Sequence, residues 1–564
     1  MRNPVFLGVT LSLVLSVFLQ CGLKIYHYSY DAFTHMFFAD HYRRSWFDLW
    51  EPRWYGGFSV TTYPPLTHQL IALLSFSLSV ETAYQVMAVA STCLLSFSVY
   101  LFSKLLVSGW EARWAILITA VFPSVSLLLN AFGQLPTIFS SALALLAAYA
   151  YGSYLKNGSI GRLSFASLLT AAAGAAHHFT FVFFVPATQL IVMLVLARRL
   201  DQRRIVITRT LIHVILSVGL LLVTIWPFIE FSLSAPAWTE IPHATRENIL
   251  LGMYQFPFFW GIYSFTIFLL PMVSMVVFRR RELLPAFAVF LLFFIFGLGG
   301  ATPLPRLLLG DLWRILTYDR FAFWASMLYI PFLSIIVNEA GVVVRKYFLK
   351  INDAEVNERK RNFAAALFLA GLATTYLLVP AVLVLWNVSP KGPLSDHQLK
   401  AVADFLNVHS EWKYVTLGFG VQRILLSFMT VAPMLDGGYN LAKTSALFTT
   451  TSVETVDGAK YYLEGIDFLR RVLVEGSNTG LRFVVSADPY YDPVLTDFGL
   501  KPISKFEGEP AVTVWEIPNV YPSKNAAPKQ SMIRQVMWGL TPMLTLFFAS
   551  VLGFTKMRGD LFEA

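Results

Sequence analysis

YDAFTHMFFADHYRRSWFDLWEPRWYGGFSVTTYPPLTH, Tyr30 to His68, follows a first apolar run at Pro4 to Leu23 and precedes a long succession of others. A bilayer span takes ~20 apolar residues, and the first run meets that length. The quoted stretch does not. It carries Asp31, His35, Asp40, Arg43 and Arg44, a Gly56-Gly57 turn, and a Tyr63-Pro64-Pro65 corner. The chain therefore leaves the membrane here, and the chemistry-bearing residues gather at a bilayer edge. The first run reads as an uncleaved helix, since no A-x-A site follows it and Gln20 suits a lipoprotein signal poorly. Cys21 and Cys93 stand alone, which excludes a disulfide framework and a cysteine metal cluster.

Of the 564 residues, 56% are hydrophobic and 14% are charged. Soluble domains carry about 25% charged residues, so most of this chain lives in lipid. The net charge of +9 does not point to nucleic acid, because Lys and Arg sit in short loops between apolar runs. That is the positive-inside pattern of a membrane protein. Twelve spans with both termini inside put every basic loop on one side. The first run is joined by spans at 82–107, 114–129, 136–155, 163–178, 179–197, 210–229, 256–277, 284–300, 323–343, 363–386 and 532–553. The stretch 66–79 is too short to span, and His68, Gln69 and Ser75 wet it, so it reads as a juxtamembrane helix.

The pattern divides the chain into a transmembrane domain at 1–386, an extracytoplasmic α/β domain at 387–530, and a last span with a cytoplasmic tail at 531–564. In the second part, 395–409 and 458–474 read as amphipathic helices. Lys413–Phe419, Leu481–Ala487 and Ala511–Ile517 read as strands. The expected fold class is an α-helical polytopic membrane protein with a small α/β domain near the C-terminus.

The outer face collects the first loop 24–81, the tip at 130–136, the His177-His178 pair, and the loops 231–255 and 301–322. Asp31 and His35 are four apart, one helical turn, and so share a face. A carboxylate and an imidazole placed that way share a metal ion or a proton, or the carboxylate serves as base toward a sugar hydroxyl. The plainer reading makes Asp31 an N-cap and packs His35 among aromatic rings. Asp40 and Arg44 read as a surface ion pair, as do Arg43, Asp48 and Glu51. Trp46, Phe47, Trp50, Trp54 and Tyr55 form either an interfacial belt or a stacking wall for a sugar or prenyl chain. His177 and His178 are membrane-edge anchors or satisfied core residues, or else contacts to a phosphate or sugar. Arg306, Arg314 and Arg320 face outward against the charge bias, where a guanidinium fork suits a phosphate or pairs with Asp311 and Asp319. Coupled transporters place charges near the midplane; these spans hold almost none.

Asp31, His35, Pro52, Trp54, Gly56-Gly57 and Tyr63-Pro64-Pro65-Leu66, in that order, resemble the GT-C superfamily of membrane glycosyltransferases. The string is similar above all to multi-spanning bacterial and archaeal proteins named for a 6-pyruvoyl-tetrahydropterin-synthase-related domain. Tyr318-Asp319-Arg320-Phe321, Asp436-Gly437-Gly438-Tyr439 and Val514-Trp515-Glu516-Ile517 extend the resemblance. It implies transfer of a sugar from a polyprenyl-phosphate donor to a glycan, lipid or protein acceptor outside the cytoplasmic membrane. Asp31 matches the acidic base or metal partner, with His35 beside it. Arg320, His177, His178 and Tyr63 would meet the donor lipid phosphate, and Trp54 and Tyr55 would stack on sugar. A divalent cation, Mg or Mn, would fall to Asp31 and His35. Many relatives carry a second acid at the tip where this chain has Gly133-Gln134-Leu135-Pro136, so a base without metal serves equally. A flippase for lipid-linked sugar and a non-catalytic assembly protein on the same scaffold are the competing classes.

Overall fold

The computed structural model describes residues 4–199, 203–348, 354–385, 392–522 and 527–556. Ten of the described helices are long and apolar enough to cross a membrane, and the chain is a multi-pass membrane protein. The span expected at 163–178 is the helix Ile160–Ala176, and that expected at 284–300 is a shorter one, Leu284–Gly297. At 14 residues the second reaches ~21 Å, short of the ~30 Å hydrocarbon layer. Its early end has a steric cause. Gly299, at φ +55°, and Gly300 bring the backbone against the carbonyls of Thr245 and Arg246, where a Cβ would lie 2.0 Å from either oxygen.

Burial sorts the helices into centre and rim. The apolar window of Gly109–Ala131 is 100% buried and that of Asp319–Glu339 is 94%, against 28% for Pro4–Gly22 and Ala365–Val382. Small residues let the helices close up. A Cβ on Gly152 would meet Leu105 and Val192, and one on Gly8 would meet Ile116. Hydroxyl pairs tie the first helix to Val80–Leu106: Ser12 to Ser96 at 2.8 Å and Ser16 to Thr92 at 2.6 Å. At the end bearing the basic loops, Arg280 bridges Glu111 at 2.7 Å and Glu339 at 2.8 Å, pinning three helices together.

The quoted stretch forms the helix Ala32–Arg44, a two-stranded ribbon β1 (Trp50–Glu51) and β2 (Phe58–Ser59), and the helix Leu66–Ser75. The last helix, Met532–Lys556, returns to it. Trp538 Nε1 donates to Tyr42 Oη at 2.7 Å, and Trp46 Nε1 donates to the Gly539 carbonyl at 2.9 Å.

The C-terminal α/β part is a four-stranded sheet in the order β3-β4-β6-β5. Its strands are β3 (Lys413–Leu417), β4 (Leu481–Ser486), β5 (Lys501–Phe506) and β6 (Val512–Glu516). β3 and β4 are parallel; the other pairs are antiparallel. Three strands lie where the alternation puts them. β5 escapes the pattern because Pro502 weakens any strand reading, and Pro is tolerated at a sheet edge or irregularity. The helix expected at 458–474 begins at Gly465.

This domain closes on the first loop. Met434 N donates to the Arg53 carbonyl at 2.8 Å, and Tyr55 N donates to the Asp436 carbonyl at 3.3 Å. Asp436-Gly437-Gly438 permits the approach, since a Cβ on Gly437 would strike the Tyr55 ring and one on Gly438 would strike Ile424 and Trp54. Trp54 is fully buried, stacked on Phe37 at 3.6 Å, with Nε1 donating to Ser427 Oγ at 2.8 Å. Tyr55 is buried too, and its hydroxyl donates to the Tyr439 carbonyl at 3.1 Å. Sugar stacking on Trp54 and Tyr55 is thereby corrected: their faces are spent joining two parts of one chain.

The surface ion pair at Asp40 is corrected as well. Asp40 accepts from Arg44 at 2.7 Å, but also from Arg53 at 2.8 Å. Arg53 forks onto Glu51 at 2.8 and 2.7 Å, and His41 Nδ1 meets Glu51 at 3.1 Å. Asp40, His41, Glu51 and Arg53 are all at most 3% exposed. Burial opposes the Glu51 charge, yet the hydrogen bonds and charge of Arg53, with His41, hold its carboxyl well below the usual range.

Candidate active site

Asp31 occupies the N-cap position of Ala32–Arg44, but its carboxylate makes no capping bond. The helix start is held by backbone instead. Tyr30 N donates to the Ala131 carbonyl at 3.0 Å and Asp31 N to the Phe132 carbonyl at 3.1 Å. Gly133, at φ +72°, allows this contact, because a Cβ there would lie 2.6 Å from Ala32 N and 2.9 Å from Asp31 N. The tip at 130–136 thus acts as a backbone clamp on Asp31. Its half-buried carboxylate takes no side-chain hydrogen bond from any described residue. Burial pushes its pKa up to about 7; the Arg320 charge opposes the rise, while Glu454 and Asp319 add to it.

Tyr63 is the hub of the ring cluster. Its centroid lies 5.8 Å from His35, 5.0 Å from His68, 6.2 Å from His177, 5.9 Å from His178 and 5.2 Å from Tyr439. The Pro64-Pro65 corner sets this placement by starting Leu66–Ser75 beneath it. His35 Nδ1 and His68 Nε2 share a hydrogen bond at 3.0 Å. Burial and the Arg320 charge push His35 down to about 3, so the pair is neutral, one ring donating and the other accepting. His177 Nδ1 accepts from Thr180 N at 3.3 Å, which leaves Nε2 to carry the proton.

Arg320 stands across from these rings in the first turn of Asp319–Phe348. Its guanidinium bonds Thr317 Oγ1 and lies 5.8 Å from the centroid of Phe179. The His178 ring is 4.1 Å from the same Phe179. Arg320 Nε and His178 Nδ1 are both buried with no hydrogen-bond partner. The Arg320 charge bears on Asp31, His35, Tyr63 and Tyr439 alike.

The structure therefore brings together Asp31, His35, Tyr63, His177, His178 and Arg320, and excludes Trp54 and Tyr55. It adds His68, Gln134, Asp319, Tyr439 and Glu454, which sequence reasoning missed as site residues. Gln134 and Asp319 did lie within quoted strings, but nothing in their spacing says that Gln134 Nε2 donates to Asp319 Oδ2 at 2.6 Å. For a metal, Asp31 and His35 find no third His, Cys, Asp or Glu ligand among the described residues. His35 commits Nδ1 to His68.

Solved structures similar to this chain include membrane glycosyltransferases. ArnT from Cupriavidus metallidurans bound to undecaprenyl phosphate superposes with a TM-score of 0.53 at 11% identity, covering 93% of this chain and 99% of that one. The fold is that of the GT-C glycosyltransferases. The Archaeoglobus fulgidus oligosaccharyltransferase in its apo form gives 0.53 at 10% identity, covering 86% of this chain and 69% of that one. The mycobacterial arabinofuranosyltransferase AftD gives 0.51 at 13% identity, over 92% of this chain and 40% of that one. No family model and no curated protein matches the sequence.

Proposed function

We propose that this protein is a membrane glycosyltransferase that moves a sugar from a polyprenyl-phosphate donor to a hydroxyl of a glycan, lipid or protein acceptor. The observation that carries the reading is the Asp31 carboxylate, free of side-chain bonds and under the charge of Arg320, whose Nε, like His178 Nδ1, is buried without a partner, within a GT-C fold. The acceptor oxygen attacks C1 of the donor sugar and its proton passes to Asp31. The C1–O bond to phosphate breaks, and polyprenyl phosphate leaves on Arg320 and His178. A carboxylate with a pKa near 7 is matched to this work at neutral pH. No step requires a metal, although a divalent cation brought by the substrate phosphate is compatible with it. The end of the bundle bearing Asp31 lies opposite the basic loops, which supports an extracytoplasmic site in the cytoplasmic membrane. The narrower kinship with the pterin-synthase-related membrane proteins rests on the first-loop string and the later sequence strings that extend it.

The test uses the full chain in nanodiscs with undecaprenyl-phosphoryl sugars as donors and extracted envelope glycan as acceptor. Transfer supports the reading; absence of both lipid binding and transfer overturns it. Arg320→Gln is expected to weaken binding of undecaprenyl phosphate ~10- to 100-fold, the worth of a charge-assisted contact, as read by native mass spectrometry. Gly133→Ala displaces the Asp31 backbone, and an ångström of misplacement costs ~100-fold in rate. It is expected to lower turnover by about that factor while lipid affinity is unchanged, a split that kinetics and binding measured side by side will show.

A further inference from the structure

Asp319 is 3% exposed, and its two oxygens have different fates. Oδ2 accepts from Gln134 Nε2 at 2.6 Å; Oδ1 is buried and has no hydrogen-bond partner. A buried carboxylate oxygen without a donor is costly, and the fold keeps this one beside the equally partnerless Arg320 Nε. The two neighbours do not pair with each other; Arg320 bonds Thr317. The negative charge of Asp319 is felt at Asp31, so its carboxylate lies near the same site.

We infer that Asp319 Oδ1 accepts a hydrogen bond from a hydroxyl of the donor sugar, with Gln134 as the positioning residue that decides which oxygen is offered. The inference rests on the reading of the site as a polyprenyl-phosphate-sugar site. The donor sugar, not the acceptor, is the occupant because it is joined through one oxygen to the phosphate assigned to Arg320, the adjacent residue. An acceptor hydroxyl belongs at Asp31.

The full chain in nanodiscs is titrated with undecaprenyl phosphate and with undecaprenyl-phosphoryl glucose, mannose and arabinose. Wild type is expected to bind at least one sugar-bearing lipid about 10-fold or more tightly than the bare lipid, the strength of a hydrogen bond to a charged group. Asp319→Asn keeps its oxygen on Gln134 Nε2 and turns its amide nitrogen toward the sugar, so the increment is lost while bare-lipid affinity holds. Combining it with Gln134→Glu reverses the amide, returns an acceptor oxygen to the site, and is expected to restore part of the increment. A purely structural Asp319 would not follow that reversal. If Asp319→Asn binds sugar-bearing lipid with the wild-type increment, or wild type has none while binding bare lipid, the inference is overturned and the proposed function stands. If wild type binds no lipid of either kind, both fall.

Discussion

Asp31→Asn lowers kcat/KM for sugar transfer by ~1,000-fold, within the ~100- to 10,000-fold that a positioned proton acceptor contributes. The residual rate loses its pH dependence. In the wild type, kcat/KM rises with pH, is half-maximal near pH 7, where the carboxylate, raised by burial against the pull of Arg320, is half ionised, and levels off above it. Stability moves the other way. The folded protein holds this proton more tightly than the unfolded chain, so the stabilising contribution is full below about pH 4 and is lost as pH rises through about 7. Asp31→Asn, which cannot ionise, therefore raises the thermal midpoint at pH 8 and leaves it nearly unchanged at pH 4. An activity profile flat from pH 5 to 8 in wild type would remove Asp31 from the role of base.

Arg53→Met destabilises the protein by about 3–5 kcal/mol, the cost of breaking a buried ion network by removing one partner. Arg53 holds Glu51, which His41 also meets, by a two-point fork and also reaches Asp40, and Arg53, Glu51 and Asp40 are at most 3% exposed. Its carbonyl also accepts from Met434 of the α/β domain, so the loss loosens the joint between that domain and the helix carrying Asp31. Thermal unfolding in nanodiscs reads the effect. Arg43→Ala, on an exposed neighbour, stays within about 0.5 kcal/mol. Replacing Asp40 and Glu51 with Leu and Met alongside Arg53→Met recovers most of the loss, because apolar residues remove the unpaired charge along with its partner. A triple variant as unstable as the single one would show that packing, not charge, holds this joint.

Hydropathy carried the reading of the bundle far because lipid permits few solutions: each backbone group must be satisfied within a helix. One span came out shorter than read, where Gly299 and Gly300 let the backbone turn early against a neighbouring loop. The same local reasoning placed Asp31 and His35 on one face. It failed on Trp54 and Tyr55, which carry the chemistry of a stacking wall but lie beneath a domain nearly 400 residues further along. It failed again on Asp40, whose second partner, Arg53, arrives by way of a ribbon turn.

The sequence by itself determined that this chain inserts in a membrane, how its helices alternate, and at which end its polar residues gather. Those properties depend on local composition against a fixed solvent slab. Which polar groups confront one another was decided only by tertiary structure. Gln134 meets Asp319 across 185 positions, and Tyr63 collects four imidazoles from three segments. Encounters of that kind arise from the close approach of helices at glycines and from carbonyls seeking donors, and no periodicity records them.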